Sequence, residues 1–81
     1  MSNQDKTVID RAIARLAADS NTQELVQKVE SDTKTTAGHY GRYLSLLLNI
    51  KDKNIRYILS QAFIKAGADP YGVNSAMRII G

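Results

Sequence analysis

Tyr43-Leu44-Ser45-Leu46-Leu47-Leu48-Asn49-Ile50 contains only two polar residues, Ser45 and Asn49, and they stand four apart. Residues four apart share one line of a helix. At about 100° per residue, Tyr40, Tyr43, Leu44, Leu46, Leu47, Leu48 and Ile50 cover more than half of a helical circumference. Gly41, Arg42, Ser45 and Asn49 form the remaining polar strip. The spacing predicts a helix over Ala37 to Ile50. A helix apolar over that much of its surface must be covered on several sides, so this one is expected at the centre of the fold.

Upstream, Val8, Ile9, Ala12, Ile13, Leu16 and Ala17 recur at the helical period, which predicts a helix from about Gln4 to Ala18. Asp19 to Thr22 interrupts the pattern. Ser20 with Gln23, or Asn21 with Glu24, reads as a capping box for a short helix from Thr22 to Glu30, with Leu25, Val26 and Val29 on its apolar edge. Ser31 to Thr36 reads as a polar loop.

Downstream, Asp52 is placed to cap a helix from Lys53 to Ala66. Its apolar stripe is Ile55, Ile58, Leu59, Ala62, Phe63 and Ala66, and Gly67 is placed to end it. Asp69-Pro70 is a cap followed by proline in the first helical position, and Val73, Ala76, Met77 and Ile80 make the inward stripe of a last helix. The expected fold is all-α: one domain over residues 1–81, a compact small bundle of four to five short helices.

Size and composition narrow the function classes. An 81-residue chain with 43% hydrophobic and 23% charged residues holds one modest core and is not of disordered composition. Cysteine is absent, which excludes disulfides and thiolate metal sites. A core this small gains from oligomerisation. No run approaches the roughly 18 apolar residues of a membrane span. The first five residues carry neither a basic nor an apolar region, so no signal peptide is expected and the setting is expected to be cytoplasmic.

Catalytic and metal chemistry find little support. His39 is the only histidine, and one histidine without cysteine cannot build a zinc site. Ser31-Asp32-Thr33 and Asp52 with Asn54 are too sparse for calcium. No serine or carboxylate lies in a nucleophilic motif, and His39 beside Tyr43 and Leu46 reads as a partly buried structural residue. Neither an enzyme nor a cofactor is expected.

Binding features are more distinct. Residues 1–33 carry net charge −2 and residues 34–81 net charge +5, and a basic half attracts phosphate or an acidic protein surface. Thr33 to Arg42 gathers hydroxyls, glycines and cations at a helix start, where Lys34, His39 and Arg42 are candidates for a small anionic ligand. It lacks the order of a phosphate-binding P-loop. Tyr57 and Ile64 lie seven apart, opposite the Ile55/Leu59/Ala62 stripe, with Lys53 and Arg56 nearby. They are candidates for a protein contact or for packing inside the domain.

Ile55 to Ile80 resembles a helix-turn-helix in outline. The resemblance implies that Tyr71, Asn74, Ser75 and Arg78 read bases. In the basic half, Lys51, Lys53, Arg56, Lys65 and Arg78 are the candidates for phosphate contacts. Phe63 stands where that motif has a small residue, and Pro70 starts the would-be recognition helix.

The first functional expectation is a non-enzymatic protein-interaction module. It would be a homo-oligomer, or a subunit or accessory factor of a larger assembly of the bacterial or phage type. Nucleic-acid binding by the basic half is the second, and small-anion binding the third. No membrane or metal partner is expected.

Overall fold

The computed structural model describes residues 3–31 and 38–81, with side chains described over 6–31 and 41–81. Five helices follow in order: α1 Asn3–Ala18, α2 Ser20–Glu30, α3 Gly38–Leu48, α4 Lys53–Lys65 and α5 Pro70–Ile80. There is no strand among the described residues, so the fold is the all-α bundle that the periodicity predicts. The expected loop over Ser31 to Thr36 lies almost wholly outside the described residues. No described helix is long and apolar enough to cross a membrane.

Three aspartates start three helices. The Asp19 carboxylate accepts the Asn21 N–H at 2.7 Å. Asp52 accepts from Asn54 and Ile55 at 2.8 and 3.2 Å, and Asp69 from Tyr71 and Gly72 at 3.3 and 3.2 Å. Each anion satisfies N–H groups that have no partner within the helix and faces the positive end of the helix dipole. The second helix therefore begins at Ser20, not at Thr22. Asp19 does the capping, and the Gln23 side chain donates to the Ala17 carbonyl at 3.3 Å, at the end of α1.

The end of α4 is set by Gly67, whose φ of +110° only glycine adopts cheaply. Ala68 N–H reaches the Phe63 carbonyl at 2.9 Å and Gly67 N–H reaches that of Ile64 at 3.1 Å. This is a Schellman ending, with Ala68 buried in the same apolar cluster as Phe63.

The main core joins Val26 and Val29 of α2, Tyr43 and Leu47 of α3, Phe63 of α4, Ala68, and Val73 and Ala76 of α5. The Tyr43 and Phe63 rings are tilted by 43° with centroids 5.4 Å apart. Such pairs add about 0.5–1.5 kcal/mol beyond area burial.

The central helix is α4, where the apolar count favours α3. Ser60 and Ala62 stand two residues apart, hence on nearly opposite sides of α4, and both are fully buried. Helices α1, α2 and α5 all pack on α4. By contrast α3 buries one side, Tyr43 and Leu47, chiefly against α5 and α2, and Leu48 stays 57% exposed. The signal was masked because Ser60 looks like a solvent residue. Its hydroxyl donates to the Tyr57 carbonyl at 2.7 Å, and its small size allows close approach.

The molecule measures 42 × 27 × 19 Å, and its short dimension is about two helix diameters. Phe63→Ala is expected to cost about 3–5 kcal/mol in urea denaturation, while Leu48→Ala stays within about 0.5 kcal/mol.

Tyr43 Oη donates to Glu30 Oε1 at 2.8 Å. Burial, and then this bond, push the phenol well above its ordinary range. The unfolded chain ionises Tyr43 near pH 10 or so, and the folded chain only at higher pH. Between those values the unfolded state binds fewer protons, so stability falls as pH rises. Urea midpoints are expected to drop more steeply above about pH 10 in the native chain than in Tyr43→Phe, whose stability is lower at neutral pH.

Candidate functional site

Helix α1 lies along α4, and the two leave an open groove of about 810 Å3. Val8, Ile9 and Ile13 of α1 and Tyr57 and Ile58 of α4 form its apolar lining, and Lys6 also lines it. Only Ile13 among the described α1 side chains is fully buried. Val8 is 63% exposed, Tyr57 is 48% exposed, and Ile55 on the first turn of α4 is also open to solvent. The sequence stripe of α1 assigns Val8 to the interior; the helix has too few neighbours to cover it.

The four candidates on α4 separate. Tyr57 lines the groove together with Ile9 and Ile13 of α1 and leaves about half its surface free. Ile64 packs half-buried against the main core. Lys53 is exposed in the first turn. Arg56 donates from Nε and Nη2 to the Ile50 carbonyl at 3.1 and 3.0 Å, and so ties the segment after α3 to α4. That role is invisible in the sequence, because nothing there places the Ile50 carbonyl beside residue 56.

The small-anion candidates are only partly described. Lys34 and the side chain of His39 lie outside the described residues. Arg42 is exposed and lines a cavity of about 170 Å3 between α2 and α3, together with Lys28, Leu25 and Ser45. Lys28 is the cation that sequence reading missed there, since it needs the α2–α3 register.

The nucleic-acid candidates Lys51, Lys65, Asn74 and Arg78 are all exposed. Asn74 and Arg78 share one strip of α5 with Tyr71, opposite the buried Gly72, Val73 and Ala76. Ser75 at the strip's edge is half-buried. No group of three or more His, Cys, Asp or Glu side chains able to hold a metal ion occurs among the described residues.

Comparison with protein-family models, curated proteins and solved structures finds no match. The functional reading therefore rests on these surfaces. The division of roles on α4 is open to measurement. Arg56→Met is expected to lower stability by about 1–2 kcal/mol through the lost charged hydrogen bonds, and Lys53→Met to stay within about 0.5 kcal/mol.

Proposed function

We propose that this chain is a small non-enzymatic protein-interaction module that works as a self-associating subunit, with its α1–α4 face seated against a second copy. The observation that carries the reading is the incomplete burial of α1, which leaves Val8 and Tyr57 open beside the apolar groove. A monomer of this size gains stability when such a surface is covered. Lys6 and Asp10 give the groove one charge of each sign. A two-fold interface brings the same patch of both copies together, so opposite charges within that patch suit pairing across the axis. Aromatic anchors such as Tyr57 are enriched at the centres of interfaces.

Sedimentation velocity over the micromolar range tests the reading. The native chain is expected to dimerise with rising concentration, and the Val8→Glu/Tyr57→Glu double variant to stay monomeric with an unchanged helical circular-dichroism spectrum. A native chain monomeric throughout, or a double variant that dimerises equally well, overturns it.

A further inference from the structure

We propose that the outward strip of α5, formed by Tyr71, Asn74 and Arg78, binds single-stranded nucleic acid. The three residues are spaced i, i+3, i+7, so they fall within about 60° of one another and span about 10 Å along the helix. Tyr71 is 80% exposed, the most open of the large apolar side chains among the described residues. Gly72, Val73 and Ala76 are buried on the other side of α5, which fixes the strip's outward direction. An aromatic ring, an amide and a guanidinium on one line supply a stacking surface, a base-edge donor and acceptor, and a phosphate contact.

The last part of the chain carries the charge that a polyanion attracts. Residues 51–81 hold five cations and two carboxylates. Both carboxylates, Asp52 and Asp69, accept backbone N–H groups at the starts of α4 and α5, where the positive helix ends offset them, and Glu30 of α2, whose Oε1 accepts the Asp69 N–H, is a third carboxylate at the start of α5. Lys51, Lys53, Lys65 and Arg78 remain exposed. Arg56 is set aside because it holds the Ile50 carbonyl. A single strand is favoured over a duplex because duplex bases are stacked on one another and offer only their edges, whereas an unpaired base offers a face to the Tyr71 ring.

The strip lies on α5 and the proposed self-association face on α1 and α4, so the two readings fail independently. The test is fluorescence anisotropy with a labelled oligothymidylate of about 20 nucleotides, longer than typical single-strand sites, at about 50 mM salt. Saturable binding is expected. Tyr71→Ala should weaken it about tenfold or more, while Tyr71→Phe, which keeps the ring, restores it. Arg78→Ala should reduce the salt slope by about 0.7. Leu48→Ala, at an exposed position of α3 outside both proposed surfaces, should leave affinity unchanged. Absence of binding, binding indifferent to Tyr71→Ala, a preference for duplex of the same length, or equal competition by polyglutamate overturns the proposal.

Discussion

Glu30 Oε1 accepts two hydrogen bonds, from Tyr43 Oη at 2.8 Å and from the Asp69 backbone N–H at 3.1 Å. The last residue of α2 is thereby joined to the middle of α3 and the cap of α5. A negative charge at the end of a helix opposes that helix's dipole, but here the same charge lies at the positive start of another. Glu30 is half-buried, where a carboxylate oxygen without donors would be costly. Asp69 is the relay: its N–H is held by Glu30, and its carboxylate holds the first turn of α5. With both ends of that relay fixed, Val73 and Ala76 turn inward and Tyr71, Asn74 and Arg78 turn outward. The polar contact beside the core thus fixes where α5 starts, and its buried stripe fixes which side faces outward.

Much of this architecture was legible because its punctuation is local. Asp52, Gly67, Asp69 and Pro70 each act within a few residues of themselves, and each acts as its type suggests. The boundary at α2 was misread because Asp19, Ser20 and Asn21 are all good caps, and the choice among them depends on where α1 ends. The central position was misread for a different reason. Counting apolar residues ranks α3 above α4, yet what places a helix in the middle is small size on opposing sides. Ser60 and Ala62 give α4 that property, and a serine satisfied by its own helix carries no hydrophobic signal.

The candidate surfaces were legible to a lesser degree. Tyr57 was visible as a residue off the main stripe, but Ile64 shares its line and packs on the core. Helix α4 receives neighbours on both sides along its length, while its first turns are left open. Lys53 and Arg56, three apart and of like charge, look equivalent in sequence. Only the fold shows one in solvent and the other closing the carbonyl of Ile50. Asn74 and Arg78 needed no tertiary knowledge, because the inward stripe of α5 already consigns them to the outside.

The remaining asymmetry concerns α1. No described side chain of α1 belongs to the main core cluster, which is built from α2, α3, α4, α5 and the turn at Ala68. Its anchorage is the far side of α4, with a smaller contact to α2. Local opening is favoured where few buried apolar contacts must be broken, and among its described side chains α1 buries only Ile13. Anything that binds the folded chain over the α1–α4 groove would add its binding free energy to the closed state. Because α1 touches both α4 and α2, and both belong to the main core, that effect can reach α5 through either helix.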